Sequence, residues 1–307
     1  MSFSSATKKE LCRISATKKC CALAEACGVL LYCNAFAPNQ VRIITESRAF
    51  AARLPILFQN VFGVAFDALP GTEQRGKLQL VITDPEKIAR MFDLYGCMGE
   101  RNVALHINFG ILEEECCRAA FFRGAFFAGG SVTNPEKRYH LELVTSHYKV
   151  SKEMLVLLRD AGFSPKETSR GANQIIYFKQ SEAIEDFLTL IGAPVAATQV
   201  MTTKVEKDLR NRVNRRVNCD AANVDKAVEA ALEQIEAIRR LEAEGGLGAL
   251  PEKLQTTAAL RLEYPELTLA QLAERFDPPV SRSCLYHRLK KITELAGRRT
   301  ETGRQSK

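Results

Sequence analysis

Apolar residues fill most positions from 20 to 33, CCALAEACGVLLYC, which predicts a helix, and the periodicity then changes repeatedly. Alternation over residues 41–45 (VRIIT) predicts a strand. Helical spacing over 49–62 predicts a second helix. Residues 77–83 (KLQLVIT) alternate again, and a third helix is expected from Pro85 to about residue 95. The order then repeats: helix over about 114–128, strand over 140–145, helix over 149–161, strand over 175–179 and helix over 182–191. Weaker edge strands near Asp67 and Lys166 complete each sheet.

Superposing residues 20–35 (CCALAEACGVLLYCNA) on 116–131 (CCRAAFFRGAFFAGGS) aligns a Cys pair and, seven positions after its second Cys, a glycine, Gly28 in one copy and Gly124 in the other. The first 190 residues or so are therefore a duplication of one mixed α/β unit, and the two copies are expected to face each other as a monomeric pseudo-dimer.

Beyond it, residues 202–217 turn basic, with Lys204, Lys207, Arg210, Arg212, Arg215 and Arg216 interleaved with asparagines. Such a stretch could follow a phosphate backbone, or it could be a solvated helix face; charge alone does not decide. Val224, Val228, Leu232, Ile235, Ile238 and Leu241 then recur at helical spacing and predict a long amphipathic helix. It stops at Gly245 and Gly246, where a hinge is expected, and Pro251 opens the next helix.

Three short helices follow: 251–262, 269–276 with Thr268 as N-cap, and 282–296 with Ser281 as N-cap. In the third, Leu285, Leu289, Ile292 and Ala296 share one face. Arg282, Ser283, Tyr286, His287 and Lys290 lie off that face, as in the recognition helix of a helix-turn-helix. Arg282 could bond a guanine edge, Ser283, Tyr286 and His287 could reach bases or phosphates, and Lys290 and Lys291 are placed for phosphates. The competing reading is a three-helix protein-interaction module with a basic surface. The parts expected are residues 1–105 and 106–200 as the two copies, 201–248 as basic segment and linker helix, and 249–307 as the all-α reader.

Charge supports a polyanionic partner. The chain has a net charge of +7, and residues 278–307 carry eight Lys or Arg (Arg282, Arg288, Lys290, Lys291, Arg298, Arg299, Arg304, Lys307) against Glu294 and Glu301. The N-terminus MSFSSATKKE lacks the apolar stretch of a signal peptide, and no run of 18 apolar residues occurs, so a cytosolic location with reduced thiols and no membrane contact is expected. Ten cysteines are present without paired CxxC motifs or HExxH. Cys20, Cys21, Cys27, Cys33, Cys116 and Cys117 read as small buried packing residues, and no metal or cofactor is expected. Neither a phosphate loop nor a nucleophile elbow occurs, which argues against an enzyme.

The segment FFRGAFFAGGS (residues 121–131) resembles the LAGLIDADG helix of homing endonucleases. Together with DLRNRVNRRVNCDAAN and DPPVSRSCLYHRL, essentially the whole chain resembles the WhiA family of bacterial transcription regulators. The resemblance implies an α+β fold: a duplicated LAGLIDADG homing-endonuclease-like domain followed by an all-α helix-turn-helix domain. It implies Gly28 and Gly124 as close-approach positions between paired helices, double-stranded DNA as partner at the nucleoid, and a role in sporulation or in cell division and chromosome organisation. The positions matching the endonuclease acids are Cys33 and Gly129, which cannot hold the divalent metal that phosphodiester cleavage requires. Two alternatives remain: a nuclease using unorthodox ligands such as Glu136, Asp220 or Cys33, and a docking platform for a sigma factor or RNA polymerase.

Overall fold

The computed structural model of the chain describes residues 2–15, 17–71, 73–74, 76–95 and 105–304, with residues 298–304 described by backbone alone. It comprises two compact units, residues 1–208 and 209–307. The side chains of Arg298, Arg299 and Arg304, and all of Lys307, lie outside the described residues.

In the first unit, α1 (Phe3–Leu11) precedes α2 (Lys19–Tyr32), β1 (Ala35–Ala37), β2 (Gln40–Thr45), α3 (Arg48–Phe62), β3 (Leu78–Ile82) and α4 (Pro85–Leu94). The second copy runs α5 (Glu115–Gly129), β4 (Gly130–Val132), β5 (Leu141–Thr145), α6 (Tyr148–Asp160), β6 (Lys166–Arg170), β7 (Asn173–Phe178) and α7 (Ser181–Ile191). Local chemistry explains the boundaries. Ser47 accepts a hydrogen bond from the Phe50 N–H to open α3, and Gly63, at φ 66°, closes it. Asp84 caps α4, with Pro85 in the first turn, where its missing N–H costs nothing.

Both sheets are antiparallel and share a plan. In the first, β2 lies between β1 and β3 with Ile43 opposite Leu80; in the second, the order is β4-β5-β7-β6 with Leu143 opposite Ile176. The edge strand expected near Lys166 forms as β6. The one expected near Asp67 does not: only an isolated bridge pairs Ala68 with Val81. Pro70, with no N–H to donate, ends any ladder two residues later. The Asp67 carboxylate instead accepts the N–H groups of Thr83 (2.7 Å) and Asp84 (3.0 Å) and pairs with Lys87.

The core lies on the paired helices α2 and α5, whose middles touch backbone to backbone. A Cβ on Gly28 would overlap the Phe121 carbonyl and stand 2.8 Å from the Ala125 nitrogen; one on Gly124 would overlap the Glu25 carbonyl. Their N-terminal ends meet through cysteines and their C-terminal ends through Gly129 and the Tyr32 ring, so they run parallel about a pseudo-twofold axis. Fully buried Phe121, Phe122, Phe126 and Phe127 fill the space around α5, with Phe127 stacked on Phe50 at 4.7 Å. Gly124→Leu is therefore expected to lower stability in urea denaturation by about 1–3 kcal/mol, since backbone is what must move. An unchanged midpoint would contradict this contact.

After α7 comes one 50-residue helix, α8 (Pro194–Ala243). The basic stretch and the amphipathic run are thus parts of a single helix. Only part of the amphipathic face is buried: Ile235, Ile238 and Leu241 are, whereas Val224, Val228 and Leu232 are exposed. In the second unit α9 (Glu252–Glu263), α10 (Leu269–Ala273) and α11 (Arg282–Arg304) pack on the end of α8; α10 stops three residues short of the expected limit.

Candidate nucleic-acid interface

The second unit builds α11 as a helix with one anchored and one open face. Leu285, Leu289, Ile292 and Ala296 are buried against Leu254, Ala258, Leu272, Ala273 and Phe276. Arg288 adds its guanidinium over the Phe276 ring at 5.5 Å, an anchoring role that nothing in its spacing announced. Arg261, almost fully buried, donates to the Gln234 side chain (3.0 Å) and the Leu267 carbonyl (2.7 Å), tying α8 to the turn before α10.

Thr268 and Ser281 are occupied as caps. Thr268 accepts from the Gln271 N–H (3.4 Å) while its own N–H donates to the Gln271 side-chain oxygen Oε1 (3.1 Å), and Ser281 accepts from the Cys284 N–H (3.1 Å). Arg282, Ser283, Tyr286, His287, Lys290 and Lys291 are all exposed. Tyr286 and His287 meet edge to face at 5.6 Å, and His287, Lys290, Lys291, Glu294 and Leu295 line a shallow open depression. Lys290 lies 3.9 Å from Glu294, an exposed pairing of little strength that a phosphate can displace.

The basic stretch of α8 divides. Lys204 pairs with Glu182, which raises the Lys204 pKa and pulls the Glu182 carboxyl down to about 2. Lys207 donates to the Pro135 carbonyl (2.7 Å) and lies over the Tyr139 ring at 4.7 Å. Both lysines thus already have intramolecular partners. Arg210, Arg212, Arg215 and Arg216 are exposed.

At the C-terminal ends of α2 and α5 the endonuclease acid positions hold no carboxylate. The Cys33 thiol is buried, with the Leu30 and Ala35 carbonyl oxygens each at 3.1 Å, and burial pushes it up to about 12. Gly129 admits no side chain, because a Cβ there would overlap the Val144 carbonyl and stand 3.0 Å from the Tyr32 ring. Glu136 is exposed in the loop before β5, and Asp220 is exposed on α8. Among the described residues, no cluster of three or more His, Cys, Asp and Glu ligands contains a carboxylate.

At the other end of the same helices the packing reading fails for Cys20 and Cys116 and holds for Cys117, which is buried. Cys20 and Cys116 are exposed, and the Sγ atoms of Cys20, Cys21, Cys116 and Cys117 lie within 4.8 Å of one another. A linear motif scan misses this because the two pairs are far apart in sequence and only the pseudo-twofold axis unites them. Cys27 and Cys33 are buried, as packing residues would be.

Comparison with known proteins follows the same division. Residues 118–210 match the WhiA LAGLIDADG-like domain, and residues 213–296 match the WhiA C-terminal HTH domain. A "probable cell division protein WhiA" from Alkaliphilus oremlandii is 36% identical over 310 residues, covering 96% of this chain and 97% of the relative. One of the same name from Desulfitobacterium hafniense (strain Y51) is 38% identical over 315 residues, covering 99% and 98%. The crystal structure of full-length DUF199/WhiA from Thermatoga maritima shares the fold, with a TM-score of 0.57 at 23% identity over 97% of this chain and 99% of that one. A duplicated LAGLIDADG-like unit, a helix-turn-helix and relatives of this similarity over nearly the full length together establish that the chain belongs to the WhiA family.

Proposed function

We propose that this protein is a sequence-specific DNA-binding transcription regulator that reads base pairs through the first turns of α11 and does not cut DNA. The observation that carries the reading is the two-faced α11. Four buried apolar residues hold the helix, while Arg282, Ser283, Tyr286, His287, Lys290 and Lys291 are exposed on its N-terminal half. Arg282 is assigned bidentate contact with a guanine edge, Ser283, Tyr286 and His287 contacts with bases or adjacent phosphates, and Lys290 and Lys291 phosphate contacts. Thr268 and Ser281 act mainly through the helices they cap, with the helix N-termini favouring phosphate. Arg210, Arg212, Arg215 and Arg216 supply auxiliary phosphate contacts, and Lys204 and Lys207 contribute least because they have intramolecular partners.

The names of the relatives support a role in cell division, and we extend it to chromosome organisation and sporulation, carried out in the cytoplasm at the nucleoid. A monomer suffices, because the duplication supplies both interface helices within one chain. A second reading, a docking platform for RNA polymerase or a sigma factor, is favoured by Val205, Leu209, Val213 and Val217, all more than half exposed along α8.

Cys33 and Gly129 support the reading that the protein does not cut DNA: one is a buried thiol, and the other has no room for a carboxylate. Purified protein incubated with Mg²⁺ or Mn²⁺ is expected to leave DNA intact while enriching a defined sequence from a random duplex pool. Metal-dependent cleavage that persists through rigorous purification, or no enrichment, would overturn the proposal.

A further inference from the structure

We infer that Cys20, Cys21, Cys116 and Cys117 form a structural zinc site that clamps the N-terminal ends of the two duplicated helices on their pseudo-twofold axis. This inference is independent of the DNA-reading proposal.

The sulfur spacing fits one tetrahedral ion. Four thiolates around one tetrahedral zinc at about 2.3 Å have sulfurs about 3.8 Å apart. All four sulfurs lie within 4.8 Å of one another, so closing on the ion requires sulfur shifts of well under a side chain's reach. A four-iron cluster would need the sulfurs spread around a much larger core. Hard oxygen-seeking cations are disfavoured by an all-thiolate set, whereas zinc accepts one readily.

Symmetry fits as well. Cys20 aligns with Cys116 and Cys21 with Cys117, so each half contributes the same adjacent pair. A tetrahedron has twofold axes, and an ion placed on the axis relating the halves sees two equivalent pairs. All four residues belong to the first turns of α2 and α5. The N-caps of these helices, Lys18 and Glu114, make no side-chain capping bond; the Cys21 N–H reaches the Cys20 sulfur, whereas the Cys117 N–H goes to the Glu114 carbonyl (3.0 Å). Lys18, Lys19 and Arg118 add positive charge nearby, opposed by Glu114 and Glu115. The thiols already share hydrogen bonds, Cys20 with Cys117, Cys21 and Cys116.

Loading replaces thiol protons: four S–H groups and one Zn²⁺ give four Zn–S bonds, and up to four protons are released. No oxidant is needed and no coordination position stays open, so the site is structural. Exposure of Cys20 and Cys116 gives the ion a way in, and Cys117, the most buried, forms the floor.

The test uses untagged full-length protein, reduced and then given zinc under anaerobic conditions. One zinc per chain is expected after desalting, and Co²⁺ in its place should give strong visible d–d bands with near-ultraviolet thiolate charge transfer. Competition against a chromophoric chelator should show Cys20→Ser and Cys116→Ser weakened by about 100-fold or more, beyond the 10- to 100-fold that loss of an outer-shell partner costs. Both positions are exposed, so the variants are expected to fold, which circular dichroism checks. Cys219→Ser, exposed on α8, should bind like the parent. Zinc far below one equivalent, zinc retained by both variants, an iron–sulfur chromophore, or disulfides formed among these cysteines without metal would each overturn the inference.

Discussion

Glu25→Ala is expected to destabilise the first unit by about 3–5 kcal/mol, the cost of breaking a buried ion pair by removing one partner. Glu25 is fully buried in α2, and both carboxylate oxygens are taken. Arg53 from α3 donates to one at 2.7 Å and to the other at 3.0 Å, and Arg123 from α5 donates to the second at 2.9 Å. The guanidiniums spend further donors on backbone carbonyls: Arg53 on Ile14 (2.6 Å) and Cys12 (3.3 Å), Arg123 on Ile191 (3.0 Å). Without the carboxylate, two mostly buried cations would face each other uncompensated. The triad also breaks the internal symmetry, since Glu25 aligns with Phe121 and Arg123 with Cys27, so the two halves are not interchangeable across the interface. Urea denaturation should show a large fall in midpoint with little change in slope. Replacing all three residues by apolar ones of similar volume should recover much of the loss, because the desolvation of the charges disappears with them. A Glu25→Ala protein as stable as the parent would show that the triad is not a buried unit.

What was legible in the sequence was whatever rests on periodicity and local chemistry. The alternation in VRIIT and LELVT marked β2 and β5, and Thr268 and Ser281 marked helix starts through hydrogen bonds their own side chains make. β1 and β4, three residues each directly after a helix, were missed because so short a stretch carries no period. The length of α8 was misjudged for a different reason. A change from basic to amphipathic composition looks like a boundary, yet no Gly or Pro falls between Pro194 and Gly245 to end a helix. The exposure of Val224, Val228 and Leu232 shows the complementary limit: apolar spacing says which face could be buried, not how far its partner extends. At the candidate interface, the open face of α11 was readable because both sides of one helix are local. The engagement of Lys204 with Glu182 and of Lys207 with Pro135, and the meeting of four cysteines, depend on tertiary contacts that spacing does not encode.

The second large effect concerns division of labour along the basic stretch of α8. Arg210, Arg212, Arg215 and Arg216 are assigned to phosphates, and each phosphate neutralised contributes about 0.9 to the slope of log affinity against log salt. Changing all four to Gln should flatten that slope by about 3 to 4 and weaken cognate and scrambled duplexes alike. Lys204→Gln and Lys207→Gln should change it far less, since their partners are Glu182, Pro135 and Tyr139. A slope unchanged in the fourfold variant would identify this part of α8 as a solvated or protein-facing surface.

The claim that α11 reads sequence is tested most directly by titrating the enriched duplex and a scrambled one with the parent protein and with Arg282→Ala at several salt concentrations. Arg282 is exposed in the first turn of α11, so its loss leaves the buried anchors Leu285, Leu289 and Ile292 in place. The predicted result is a loss of about 1–3 kcal/mol on the enriched duplex with little change on the scrambled one, so that discrimination falls. An unchanged ratio between the two duplexes would contradict the assignment of Arg282 as a base reader, and equal affinity of the parent protein for both would contradict sequence reading altogether.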